Sequence, residues 1–190
     1  MCLNNPEHQL FQQIILEHQD CQNKIEKAIS VQEKKNILDW LWKEVENKHH
    51  LKEELLIYPI LIQKKKLTEG GPFCSLYFEE HIMNRPSDIV KKITQNDLSW
   101  LSHQTFYKDN PTPLNIPLEE HRSTREILQF LIQNKNQLSD DSFLKIFESY
   151  VRLLQHHTTK EEKCFFRVCE LCLAQTELDE IFSKWFTFTG

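Results

Sequence analysis

The sequence predicts an all-α protein, an up-down-up-down four-helix bundle with a long excursion between helices two and three. Apolar residues recur at helical spacing in four long segments. Only three glycines occur in 190 residues, which disfavours nucleotide-binding loops and all-β folds, because both need glycine at special turns. The length suits one hydrophobic core. We therefore expect a single domain over residues 1–190, with about 67–115 as an insertion.

The first two helices are predicted at about Glu7 to Ala28 and about Ser30 to Lys66. In each, residues three and four apart form one inward stripe. The first stripe is Phe11, Ile14, His18, Cys21, Ile25 and Ala28, and the second is Leu38, Leu41, Val45, His49, Glu53, Leu56 and Ile60. His18, His49 and Glu53 thus occupy positions that are usually apolar in the core of a helical bundle.

The third helix is predicted to start near Pro117, a plausible first-turn proline, and to end at "NKNQ". Ser139 and its polar neighbours offer caps for the fourth helix. The third stripe is Leu118, His121, Leu128 and Leu131, and the fourth is Phe143, Ile146, Tyr150, Leu153, His157, Glu161, Cys164, Val168 and Leu171. A last segment, "TELDEIFSKWFTFTG", predicts a short helix that packs its aromatic side chains on the bundle.

Composition argues against several classes of partner. With 28 acidic against 23 basic residues and one basic run, at 64–66, we expect no nucleic-acid partner. The N-terminus lacks the apolar core of a signal peptide, and no run is long enough to span a membrane, so we expect a cytoplasmic protein. Six cysteines then predict reduced thiols, and the pair Cys169 and Cys172 lies in a predicted helix. No particular protein partner is indicated.

Two segments, "HHLKEE" from His49 and "HHTTKEE" from His156, raise a question of register. Either histidine of a pair can have a glutamate four residues later on its helix face. His49 and His157 continue the apolar stripes, so the inward pairs are predicted to be His49 with Glu53 and His157 with Glu161. The histidines at 8, 50, 103 and 156 are predicted to lie at the surface or beside the ligands.

The two halves of the chain resemble each other. Each carries an "EH" pair, at His18 and at His121, followed by an inward H-x-x-x-E. A pseudo-twofold bundle would bring four histidines and two glutamates to one level. His81 also follows "EE" and is the alternative to His121, but Pro86 ends any helix around it within about a turn.

Six inward ligands predict two metal ions. Burying this many polar groups is costly unless each finds a partner, so a metal centre is favoured over a merely hydrogen-bonded polar layer. Imidazole with carboxylate suits iron or manganese better than structural zinc. Two histidines per ion, two bridging glutamates and an oxo or hydroxo bridge leave roughly one open position per ion. A ferritin-like arrangement is disfavoured, because Leu154 replaces the second Glu-x-x-His glutamate.

The paired motifs resemble the hemerythrin-like HHE cation-binding family. The resemblance rests on H-x-x-K-E-E-x-x-x-Y-P from His49 to Pro59, "EH" at His18, "EGGP" after the second helix and H-x-x-K-E-E from His157. It implies a non-heme diiron centre in an up-down bundle, with His18, His49, Glu53, a third-helix histidine, His157 and Glu161 as ligands. Zinc and manganese are possible substitutes for iron.

Two departures from the family bear on function. Oxygen-carrying members have H-x-x-x-H on the third helix, whereas Arg125 follows His121 at that spacing, and Arg167 replaces a proline. The missing second histidine disfavours reversible O₂ carriage. The leading hypothesis is a protein that senses, binds or stores O₂, NO, peroxide or iron; the alternatives are a diiron peroxidase, oxidase or repair factor, and a bundle with a purely structural metal.

Overall fold

The computed structural model describes residues 6–63 and 115–188, and every regular element in these two ranges is a helix. The prediction of an all-helical protein is therefore confirmed over that part of the chain. Most of the predicted insertion, including His81 and His103, lies outside the described residues. The five helices are α1 (Gln9–Lys27), α2 (residues 31–63), α3 (Asn115–Asn134), α4 (residues 140–172) and α5 (Gln175–Thr187).

Helix starts follow local capping chemistry. Ser30 precedes α2 and forms a reciprocal capping box with Glu33, whose backbone N–H donates to the Ser30 hydroxyl. The Ser139 side chain accepts from the backbone N–H of Ser142 at the start of α4, as predicted. Glu177 in α5 accepts from the backbone N–H of Ala174 at 2.7 Å. These contacts satisfy backbone donors that an uncapped first turn would leave open.

α2 and α4 both widen into π-helical turns near their H-x-x-x-E motifs. In α2 the wider segments are Leu41–His49 and Glu53–Ile57, and in α4 the segment is Glu161–Phe165. Two of these segments start at the inward glutamates. Arg167 stands in α4 where α2 has Pro59, so the proline is not the common cause of the widening. π turns change which residues share a helix face and occur often at functional sites.

One predicted inward residue is wrong because of this change of face. Leu171 was expected on the α4 stripe, but it is 60% exposed, whereas Val168 is 1% exposed. The periodicity assumed 3.6 residues per turn throughout, and the wider turn at 161–165 shifts the residues that follow it.

The buried apolar residues form two clusters. One joins the start of α1, the ends of α2 and α4, and α5, and it includes Phe11, Ile57, Phe166 and Trp185. The other joins the end of α1 with the first parts of α2 and α4 and the middle of α3. On α1, α2 and α4, the predicted ligands fall between the two clusters, so a polar layer separates them. Within the described ranges no helix has the length and hydropathy that crossing a membrane requires.

Candidate metal centre

All six predicted ligands lie together in the polar layer, and each is at most 7% exposed. The Nε2 atoms of His18 and His49 are 3.0 Å apart, and those of His121 and His157 are also 3.0 Å apart. The rings of the two pairs meet at interplanar angles of 69° and 75°. Two imidazoles in adjacent positions on one ion, each about 2.1 Å from it, place their nitrogens about 3 Å apart. Each histidine pair therefore has the spacing of a shared ion.

Each inward glutamate lies between the two histidine pairs. Glu53 has one oxygen 3.8 Å from His49 Nε2 and the other 3.3 Å from His121 Nε2. Glu161 Oε2 is 3.5 Å from His18 Nε2 and 3.2 Å from His157 Nε2. Both carboxylates thus contact one histidine of each pair. This is the placement that a bridging carboxylate needs.

A second set of carboxylates holds the outer nitrogens of the four histidines. Each Nδ1 lies 2.8 to 3.0 Å from one glutamate oxygen. The pairs are His18 with Glu162, His49 with Glu17, His121 with Glu54, and His157 with Glu120. A histidine that donates Nδ1–H to a carboxylate presents a bare Nε2, which is the usual arrangement at metal sites.

The sequence contains a signal for these four glutamates besides helical periodicity. Each stands directly beside a predicted ligand, in the "EH" pairs at 17–18 and 120–121 and the "EE" pairs at 53–54 and 161–162. The contacts repeat between the halves: Lys52 donates to Glu17 and Lys160 donates to Glu120. Trp185 of α5 also donates to Glu17, at 2.7 Å. Each doublet therefore combines a predicted ligand with a carboxylate that orients a histidine on another helix.

The centre contains acceptors without donors. Among the described residues, none hydrogen-bonds to any of the four carboxylate oxygens of Glu53 and Glu161, although all four are buried. With each Nδ1 on a carboxylate, all four Nε2 atoms also face inward. A hydrogen-bonded polar layer would pair donors with acceptors, whereas these groups face one another. The residues fit cations. Three groups among the described residues have ligand atoms within 4.8 Å of one another: His18, His49 and Glu53; Glu53, His121, His157 and Glu161; and His50, His121 and His157.

Without cations, protons must relieve this crowding of negative groups. Burial, together with the charge of Glu161, raises the pKa of Glu53 well above its ordinary value. Burial opposes ionisation of Glu161 as well, but the positive charge of His157 lowers its pKa. Burial disfavours the charged His157, yet Glu161 and Glu120 raise its pKa to about 10. The metal-free centre thus holds protons where a metal would bring positive charge.

A fifth histidine lies at the centre. His50, predicted to lie at the surface or beside the ligands, is fully buried beside them, and so is Glu46. The ring of His50 stacks on that of His121, with centroids 3.9 Å apart. Its Nδ1 is 2.8 Å from Glu46 Oε2, and the Tyr150 hydroxyl donates to Glu46 Oε1 at 3.0 Å. Burial raises the pKa of Glu46 to about 7, against the lowering effect of Arg125.

The other described histidines behave as the sequence indicated. His156 is exposed on α4. His8 is half-buried, and its Nδ1 accepts from the backbone N–H of Leu10 at the start of α1. The doubled histidines are therefore not equivalent between the halves: the residue after His157 is Thr158, where the first half has His50.

A cavity of about 230 Å³ lies between α1, α2 and α4 and reaches the centre. Its lining runs from the exposed Gln22 and Lys48 to the buried Cys21 and His50. His18 and His49 also line it. A small molecule in this cavity would therefore be next to three of the clustered histidines.

Comparison with known proteins does not identify a relative of this chain. The chain matches no protein-family model, no curated protein and no solved structure. The function proposed below rests on the arrangement of the side chains and on the motif resemblance.

Proposed function

We propose that this protein binds two non-heme iron ions in a hemerythrin-like four-helix bundle. His18 and His49 hold one ion, His121 and His157 hold the other, and Glu53 with Glu161 bridges them. The observation that carries the proposal is a set of four buried carboxylate oxygens to which no described residue donates a hydrogen bond. They lie between two histidine pairs whose Nε2 atoms are 3.0 Å apart. The paired motifs that resemble the HHE family support the same ligands.

Iron is favoured by the donor set. Imidazole and carboxylate ligands suit iron and manganese, and no thiolate belongs to any of these ligand groups. Cys21 lines the cavity instead, and burial raises the pKa of its thiol to about 12, so it stays protonated. Two iron ions supply open coordination positions and a change of oxidation state.

The leading function is binding of a small molecule at these open positions: O₂, NO or peroxide, sensed or held by the protein. The protein's own residues orient the histidines through Glu17, Glu54, Glu120 and Glu162, and exclude bulk water by burial. Oriented ligands preserve an open position, because they cannot rotate to fill it.

The cavity favours an enzyme as the second candidate. An apolar cavity of about 150 Å³ is enough to hold benzene, and this cavity is about 230 Å³. That volume exceeds what a diatomic ligand needs. A diiron oxidase or peroxidase with a small organic substrate would use the space, whereas a gas sensor would not require it.

The two candidates separate in one experiment on iron-reconstituted protein. Under the binding hypothesis, azide and NO change the visible absorption bands stoichiometrically, and added peroxide is not turned over. Sustained consumption of peroxide, with an oxidisable small phenol as co-substrate, would favour the enzyme. A His121→Ala variant should lose iron in either case, while the exposed His156→Ala variant keeps it. Full iron content in both variants would overturn the site.

A further inference from the structure

His50 has an inner nitrogen that the six-ligand centre does not use. Its Nε2 is buried and, within the described residues, has no hydrogen-bond partner. It lies close to the centre, since ligand atoms of His50, His121 and His157 are all within 4.8 Å of one another. A buried nitrogen of this kind is costly unless something pairs with it. Either it binds a metal or it contacts a ligand of the metal.

Ring geometry argues against a shared ion with His121. The lone pair of an imidazole lies in the plane of its ring. His50 and His121 are stacked with centroids 3.9 Å apart and planes only 8° from parallel, so in-plane lone pairs do not converge on one ion nearby. The proposed ligand pairs are different, because their rings meet at 69° and 75°. His50 therefore faces the centre without sharing an ion with His121, and its ligand atom lies within 4.8 Å of those of His121 and His157.

The tautomer of His50 follows from the residues around Glu46. Tyr150 donates to one oxygen of this carboxylate, Thr124 lies 3.1 Å from the other, and Arg125 Nε is 4.0 Å away. Burial raises the Glu46 pKa to about 7 against these donors and the positive charge, so above that pH Glu46 is a carboxylate and accepts the His50 Nδ1–H at 2.8 Å. Nε2 then carries a lone pair and can only accept a hydrogen bond.

We propose that His50 Nε2 accepts a hydrogen bond from an exogenous ligand bound at the ion of His121 and His157. This rests on the proposed two-metal centre and names the ligand class that the centre selects. Ligands that carry a proton next to the metal, such as hydroperoxide or hydrosulfide, gain this bond. Ligands without a proton, such as azide or NO, face a lone pair and do not. His50 also lines the cavity, so an arriving ligand meets it directly.

The test compares two ligands of the same shape. Azide and the cyanamide anion HNCN⁻ both have three heavy atoms in a nearly straight line, and only the second carries an N–H. Each is titrated into cobalt(II)-loaded protein at about pH 8.5, where Glu46 is a carboxylate, and the visible cobalt bands report binding. The variant His50→Phe keeps a ring over His121 and removes both nitrogens. His156→Phe, at the exposed histidine of α4, is the matched control.

The expected result is that His50→Phe keeps two cobalt ions, binds cyanamide about tenfold more weakly and binds azide within about twofold of wild type. Loss of one ion would show that His50 is a ligand and would overturn the proposal. Equal weakening of both anions, or of neither, would also overturn it. In His50→Phe the buried Glu46 carboxylate loses its histidine partner. If that variant misfolds, the double variant Glu46→Gln, His50→Phe removes the unpaired charge, and the test is repeated with it. Failure of wild type to take two ions would instead refute the proposed centre.

Discussion

Replacing Glu53 with glutamine should stabilise the metal-free protein and weaken its response to metal. The folded state raises the pKa of Glu53, through burial and the nearby Glu161, above the value of about 4.3 in an unfolded chain. Because its pKa is raised on folding, Glu53 contributes fully to the free energy of unfolding only below its unfolded pKa. This contribution is lost as the pH rises toward the folded pKa. Glutamine has the same shape and does not titrate, so the stability of the variant does not fall with pH for this reason.

The size of the effect follows from linkage. Each pH unit between the unfolded and folded pKa values costs wild type about 1.4 kcal/mol. For a chain of 150–250 residues, 1 kcal/mol shifts Tm by about 2–4 °C. The Tm advantage of Glu53→Gln should therefore widen by about 3–6 °C for each pH unit above the unfolded value, up to the folded pKa. With metal the order reverses, because ligand at about a thousandfold above Kd adds about 4 kcal/mol to wild type, and the variant has lost a bridge.

The assay is thermal unfolding by circular dichroism, with and without Fe²⁺ under anaerobic conditions, at several pH values. Glu148→Gln is the matched control, because Glu148 is exposed on α4; it should stay within about 0.5 kcal/mol of wild type at each pH. A Glu53→Gln variant that is less stable than wild type without metal would contradict the raised pKa of Glu53. A variant that keeps the full stabilisation by metal would contradict its role as a bridge.

Three further predictions concern the same layer. His49→Ala should lose metal and the stability that metal adds, whereas His156→Ala should keep both, as elemental analysis and thermal unfolding will check. Metal binding near neutral pH should release protons held on Glu53 and His157, so affinity should rise with pH; calorimetry in buffers of different ionisation enthalpy measures this. Thr158→Trp places an indole in the cavity and should slow azide association, followed by stopped-flow absorbance, without changing metal content.

The helices and the six clustered residues could be predicted because the signals are local. Ser30 and Ser139 start helices through hydrogen bonds within four residues. His18, His49 and His157 continue apolar stripes, so their burial follows from helical periodicity. His121 could be preferred to His81 only through the internal repeat and the position of Pro86.

The parts that were missed depend on contacts between helices and on departures from ideal helix geometry. His50 and Glu46 are polar in sequence and share a face with Lys43, which is exposed. They are buried because Tyr150 on α4 and Thr124 on α3 supply partners for Glu46. The π turns also shift the register of α2, and periodicity at 3.6 residues per turn contains no warning of them.

Anaerobic titration of metal-free protein with Fe²⁺, followed by calorimetry, tests the two-ion centre most directly. Wild type should bind two ions per chain. Glu53→Gln with Glu161→Gln, which removes both bridges and leaves the four histidines in place, should lose tight binding of the pair. A stoichiometry of one ion or none in wild type, or two tightly bound ions in the double variant, would contradict the account.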